Sequence, residues 1–146
     1  MPYKKTAYLF DLDGVVVDSV REDLKLDFAV RDFSRFEAEI PSFDSFEWAV
    51  EFIRAVAGKH HILFLTARNE AYRADTEVWL EAHLKLKRGQ YSMVMRKTED
   101  TRRDTEVKAE NLIQAMKKYE ILAAFDDNID NARLYSYFGI KSCCVI

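Results

Sequence analysis

Residues 10–18 read Phe10-Asp11-Leu12-Asp13-Gly14-Val15-Val16-Val17-Asp18, FDLDGVVVD. An apolar run, Ala7-Tyr8-Leu9-Phe10, leads straight into them and has the length and character of a buried strand. That strand ends in two carboxylates one residue apart. Side chains alternate between the faces of a strand, so Asp11 and Asp13 share a side. Two acids so placed repel unless a cation neutralises them or one keeps a proton. Gly14 lets the chain turn sharply beneath them.

The same logic extends along the chain. His61–Thr66, Tyr91–Met95, Ile121–Phe125 and Ile140–Ile146 are further strand-like runs, the last read as a buried terminal strand. Between them lie helical patterns. Phe43–Ala57 carries Phe43, Phe46, Val50, Ile53 and Val56, with Ser42 as N-cap and Gly58 just past the end. Glu70–Leu84 has a ragged stripe of Ala71, Val78, Trp79 and His83, and Thr105–Tyr119 a clear one of Val107, Leu112, Ala115 and Met116. Ile129–Phe138 is the last helix. Trp48 and Trp79 fall in apolar stripes and read as core. Strands alternating with helices predict an α/β fold with a parallel sheet covered on both faces. Val15–Pro41 is too polar and irregular for a core element, and reads as a loop with one or two short helices over a strand end.

Composition bounds the function. The chain has 146 residues, 49% hydrophobic and 32% charged, with a formal net charge of −3. This suits one globular domain, residues 1–146, and excludes disorder. An acidic balance argues against a protein that coats duplex nucleic acid by neutralising phosphates. No apolar run is long enough to span a membrane. The N-terminal stretch does not read as a signal peptide, and the adjacent Cys143 and Cys144 suit neither a disulfide nor a zinc site. A reduced, cytoplasmic setting is expected.

In a parallel α/β sheet, ligands sit at the C-terminal ends of the strands. Those ends carry Asp11 and Asp13, then Thr66-Ala67-Arg68, then Arg96, then Asp126 and Asp127. Singly, these pairs read equally well as solvated acids or helix caps. Their convergence on one sheet edge points to a phosphate and a hard cation such as Mg²⁺.

These residues carry a resemblance. Asp11-Leu12-Asp13-Gly14, Phe64-Leu65-Thr66-Ala67-Arg68, Lys108, and Asp126-Asp127 with Asp130 or Asn131 resemble, in order, the four motifs of the haloacid dehalogenase superfamily of phosphatases. Arg96, Asp100-Thr101-Arg102-Arg103-Asp104 and Val107-Lys108 resemble the 3′-phosphatase domain of phage-type polynucleotide kinase. The fourth motif reads Asp-Asp-Asn where that group has Asp-Asp-Arg. No GxxxxGK[ST] kinase loop is present, which implies the phosphatase half alone. The fold implied is a Rossmann-like parallel sheet of about five strands in the order 5-4-1-2-3, with a small cap or loop insertion at about residues 15–41.

The resemblance also implies roles. Asp11 is the nucleophile that forms an aspartyl-phosphate, and Asp13 the general acid and then base. Thr66, the Ala67 N–H and Lys108 hold the phosphoryl oxygens. Asp11, the Asp13 carbonyl and Asp127 bind Mg²⁺, with Asp126 or Asp130 behind them. Arg68 and Arg96 suit a second phosphate; Arg102 and Arg103 read as partners for Glu99, Asp100 or Asp104. The expected substrate is a DNA or RNA 3′ end, with a separate kinase or ligase partner. A small-molecule nucleotide phosphatase and an inactive phosphate-binding domain are the alternatives.

Overall fold

Strand β1 (Lys5–Phe10) is the middle of a five-stranded sheet. The computed structural model describes residues 3–20 and 22–146; Met1, Pro2 and Arg21 of the stretches read above lie outside the described residues. After β1 come β2 (Val17–Asp18), α1 (Glu22–Ala29), α2 (Ser34–Glu39), β3 (Asp44–Ser45) and α3 (Glu47–Val56). Then follow β4 (His61–Asn69), α4 (Arg73–Leu84), β5 (Tyr91–Arg96), α5 (Asp104–Lys118), β6 (Tyr119–Asp126), α6 (Ile129–Tyr137) and β7 (Ser142–Cys144). The sheet runs β5-β4-β1-β6-β7, all parallel, which is the expected order.

The register explains the unbroken apolar strands. Leu9 lies beside Leu63, and Phe10 beside Phe64. Leu9, Leu63 and Leu65 pack with Leu112, Ala115 and Tyr135 of α5 and α6 on one face. Phe10, Ile62 and Phe64 pack with Ile53, Trp79 and Leu80 of α3 and α4 on the other. The central strands β1 and β4 are thus covered on both faces, and each Leu or Phe withdrawn from water contributes about 1.5–3 kcal/mol. The insertion after β1 holds α1, α2 and a two-stranded antiparallel pair, β2 with β3.

Some expectations need correction. The helix read from Phe43 begins at Glu47, and Ser42 does not cap it. Ser42 closes a 3₁₀ turn, Ile40–Ser42, and its hydroxyl donates to the Glu39 carbonyl. Trp79 Nε1 donates to the Phe43 carbonyl at 2.8 Å, and Asp44–Ser45 pair with β2, so tertiary bonds draw this segment out of the helix. Gly58 does follow the helix end, at φ +85°. Trp79 is core, but Trp48 is 38% exposed and leans on Phe125. Val78 is 68% exposed; the buried stripe of α4 is Thr76, Trp79, Leu80 and Leu84, and Glu70–Tyr72 precede it as a 3₁₀ turn. The terminal strand is shorter than expected, an edge strand only partly buried. No helix among the described residues is long and apolar enough to cross a membrane.

Candidate active site

The chain turns immediately after β1. The Asp11 N–H donates to the Phe125 carbonyl at 2.9 Å, which carries the β1–β6 pairing one residue beyond the strand. The Leu12 carbonyl then accepts from the N–H groups of Val15, Val16 and Val17. This tight knot explains the glycine: Gly14 sits at φ +85°, and a Cβ there would lie 2.1 Å from Asp127 Oδ2. Only glycine lets the Asp127 carboxylate approach the turn.

Asp11 is buried, and its Oδ1 is held by the Leu12 N–H at 2.8 Å and by Lys108 Nζ at 3.1 Å. Lys108, on the second turn of α5, is 1% exposed and also reaches Asp126 Oδ2 at 2.8 Å. Burial works against its charge, but Asp11 and Asp126 outweigh that and raise Lys108 above the ordinary lysine range. Asp11 is itself raised well above the usual carboxylate range. Burial is the main cause, Lys108 opposes it, and Asp126, Asp13 and Asp127 add to it. Loss of water also raises Asp127.

Asp126 is fully buried and saturated. It accepts from Lys108, from the Tyr135 hydroxyl at 2.7 Å, from the Asn128 N–H at 3.0 Å and from Asn131 at 3.4 Å. Tyr135 comes from α6 and had no signal in the sequence, since only packing brings it beneath Asp126.

Oxygens of Asp11, Asp126 and Asp127 lie within 4.8 Å of one another. An all-carboxylate set suits a hard divalent cation, and the space that Gly14 leaves open admits Asp127 to it. Because Asp126 is taken up by four donors, Asp11 and Asp127 are the members with capacity to spare. Asp130 is exposed at the start of α6 and lies outside this group.

Asp13 is bound differently. Arg68 forks onto it, Nη2 to Oδ1 at 2.6 Å and Nε to Oδ2 at 2.9 Å, and Ser19 donates its hydroxyl to Oδ1. Burial alone would raise Asp13, but the Arg68 charge, its hydrogen bonds and Ser19 outweigh it and hold the carboxyl below its ordinary range. Arg68 is 6% exposed, donates to Thr76 Oγ1 at 3.1 Å, and lies over the Phe36 ring. Ser19 was not foreseen, being an unremarkable serine in an irregular stretch.

Thr66 ends the unbroken buried run of β4, its Oγ1 accepting from the Arg68 N–H at 3.1 Å. Arg96 turns inward. Its Nε donates to the Ala67 carbonyl, Nη1 to the carbonyls of Asp100 and Arg102, and Nη2 to Asp104 at 2.6 Å. Four of its five N–H donors are thereby taken by the protein, and they tie the 100–104 loop to the end of β4. Arg102 pairs with Asp100 and Glu110, and Arg103 with Glu106. Asp11, Asp13, Thr66, Lys108, Asp127 and Asn131 border a cavity of about 440 Å³.

An acid pair after the central strand, facing a second acid pair and a buried lysine at one sheet edge, is the arrangement of a haloacid dehalogenase-superfamily hydrolase domain. Residues 5–145 match the family described as polynucleotide kinase PNKP phosphatase domain, and the chain belongs to it. Two structures of a Pnkp1/Rnl/Hen1 complex, one described as an RNA repair complex, share the fold. They give TM-scores of 0.72 and 0.73 at 20% and 21% identity. Each comparison covers 96% of this chain, which spans only 42% and 45% of those chains. A class C acid phosphatase from Bacillus anthracis with tungstate bound gives 0.65 at 16% identity, covering 89% of this chain and 54% of that one. At these identities the likeness is one of fold. No curated protein matches the chain significantly.

Proposed function

We propose that this domain is a Mg²⁺-dependent phosphomonoester hydrolase that removes 3′-phosphates from polynucleotide ends through a phosphorylated Asp11. The carrying observation is Asp11 itself, buried at the wall of the 440 Å³ cavity and fixed through Oδ1 by Lys108 and the Leu12 N–H. Fixing one oxygen orients the carboxylate before substrate arrives. Membership of a polynucleotide phosphatase family supports the substrate class.

In the first step an Asp11 oxygen bonds to phosphorus, the bond from phosphorus to the leaving oxygen breaks, and Asp13 gives that oxygen a proton. In the second, Asp13 takes a proton from water as the water oxygen bonds to phosphorus and the Asp11–phosphorus bond breaks. Thr66, the Ala67 N–H and Lys108 hold the phosphoryl oxygens. Asp11, Asp127 and the Asp13 carbonyl, with Asp126 behind, would hold Mg²⁺, which would supply the charge that lets a carboxylate meet an anionic phosphate. Arg68 holds Asp13 in its ionised form. An incoming phosphate competes for that guanidinium, and its release lets Asp13 take up the proton it must donate. A separate kinase or ligase partner would complete work on the same ends.

Phosphate release from a 3′-phosphorylated oligonucleotide, with Mg²⁺ and with EDTA, tests this reading; a 3′-mononucleotide run alongside separates it from a small-molecule phosphatase. Release from the oligonucleotide only with metal is expected. Preference for the mononucleotide, or no turnover at all, contradicts it.

Two further outcomes are expected. Gly14→Ala should raise the Mg²⁺ needed for half-maximal rate by about 10–100-fold, the range for disturbing the surroundings of a metal ligand. An unchanged metal titration would remove Asp127 from the site. Arg96→Ala should lower kcat/KM by about 10–100-fold on an oligonucleotide and on nitrophenyl phosphate alike, because it frees the Ala67 carbonyl and the Asp104 carboxylate beside the reacting phosphate. A loss confined to the oligonucleotide would show that Arg96 grips a second phosphate directly.

A further inference from the structure

The end of the sheet opposite the acid cluster carries the opposite charge. Residues 3–5, 54–60, 84–90 and 117–120 lead into β1, β4, β5 and β6, and parallel order gathers them at that end. Of the chain's 22 lysines and arginines and 25 acids, these short segments hold nine and one, the one acid being Glu120. The acidic net charge of the whole chain thus conceals a divided molecule. The row crosses neighbouring strands: Lys87 stands before β5, Lys59 before β4, Lys5 at the start of β1 and Lys118 before β6. Lys5 is level with Tyr119, and Lys4 Nζ donates to the Met116 carbonyl at 2.7 Å, which ties the start of β1 to the end of α5.

All nine cations are exposed. Arg88 meets Glu81 at 3.7 Å, and the other eight form no ion pair among the described residues. Helix dipoles do not account for the excess. Three helices, α3, α4 and α5, finish here, and each C-terminus offers only about half a negative charge. The chemistry also selects the partner. A protein interface has an apolar, aromatic-rich centre from which lysine is depleted. A bilayer surface takes apolar side chains that insert, but Leu84 and Leu86 are buried and Tyr3 is the one large apolar side chain exposed in these segments. Lysine is a point charge on a flexible stem, which suits a run of phosphates held without regard to sequence.

We propose that this basic end is a second nucleic-acid surface, which holds the phosphate backbone of a single strand. Six residues of extended chain separate Lys5 from Asp11, roughly 20 Å at the rise of a strand. A nucleotide held here is too far from Asp11 to react, so the surface adds to the 3′-phosphatase reading and stands independently of it.

Fluorescence anisotropy tests it with a labelled single strand that ends in a 3′-hydroxyl, in EDTA, so that phosphoryl transfer plays no part. The wild-type chain should bind at low salt and weaken as salt rises, with a slope of roughly 0.7 for each phosphate engaged. Lys59→Gln, Lys87→Gln, Lys117→Gln and Lys118→Gln together should raise Kd about tenfold or more and flatten that slope, with turnover of nitrophenyl phosphate unchanged. Acetylation of the wild-type chain, read by mass spectrometry, decides the matter even if the variant does not fold: the strand should protect the same four lysines. No binding by the wild-type chain, an unchanged Kd in the folded variant, or protection of other lysines alone would overturn the proposal. So would tighter binding to phosphatidylserine vesicles or to polyglutamate than to the strand, which would make this end a lipid or an acidic-protein surface. Release of 3′-phosphate without strand binding at this end would overturn the proposal and leave the phosphatase reading in place. Strand binding here without such release would support the proposal and remove that reading.

Discussion

Asp11→Asn is expected to lower kcat by about ten-thousand-fold or more while leaving the fold intact, the scale on which loss of a nucleophile is felt. The amide keeps the shape of the carboxylate but cannot form the bond to phosphorus. Its stability should tell the same story. Burial raises Asp11 above its ordinary range, so its ionised form is less favourable in the folded chain than in the unfolded one. The stability tied to its protonated form is present at low pH and lost as pH rises through the raised value. Near neutral pH and without metal, Asp11→Asn therefore removes a penalty, and its melting temperature should equal or exceed that of the wild type. Circular dichroism melts beside a phosphate-release assay check both parts. An active variant, or an inactive one that has unfolded, would break the link between Asp11 and chemistry.

Asp13→Asn is expected to cost about 10²–10⁴-fold on a nucleotide 3′-phosphate, the usual worth of a general acid–base group. The loss should be smaller on nitrophenyl phosphate, whose leaving oxygen needs little help from a proton. Arg68 would also lose the carboxylate that it forks, so Arg68→Gln makes a useful companion. If Asp13 matters only by holding Arg68, the two variants should show the same dependence on leaving group. If Asp13 is the acid, the dependence belongs to Asp13→Asn alone. Equal losses on good and poor leaving groups would remove Asp13 from the proton transfer.

The part of the site built at strand ends is legible in the amino-acid sequence. Asp11, Asp13, Thr66 and Asp127 follow from parallel order, which brings C-terminal strand ends together, although Asp11 and Asp13 sit in a turn past the end of β1 and not on the strand itself. Lys108 is marked in the sequence only by its resemblance to the third motif of the superfamily, and the fold puts it between Asp11 and Asp126. What stays hidden depends on partners distant in sequence. Arg68 and Asp13 are 55 residues apart, and nothing local shows that the guanidinium turns back to the acid. Arg96 similarly has a charge fit for phosphate, yet its donors meet carbonyls of loops that only the fold brings near. Ser42 fails as a cap because Trp79, 36 residues beyond Phe43, claims the Phe43 carbonyl.

The central claim is that phosphate passes through Asp11, and acid quenching of the accumulated intermediate tests it most directly. The Asp13→Asn variant, slow to hydrolyse the intermediate, is mixed with excess nitrophenyl phosphate and Mg²⁺, quenched, digested and read by mass spectrometry. One phosphoryl group should appear on the peptide that contains Asp11, removable by hydroxylamine and absent when Asp11 is also replaced by asparagine. Release of nitrophenol with no phosphoryl group on that peptide, or with the label on another residue, would contradict the account.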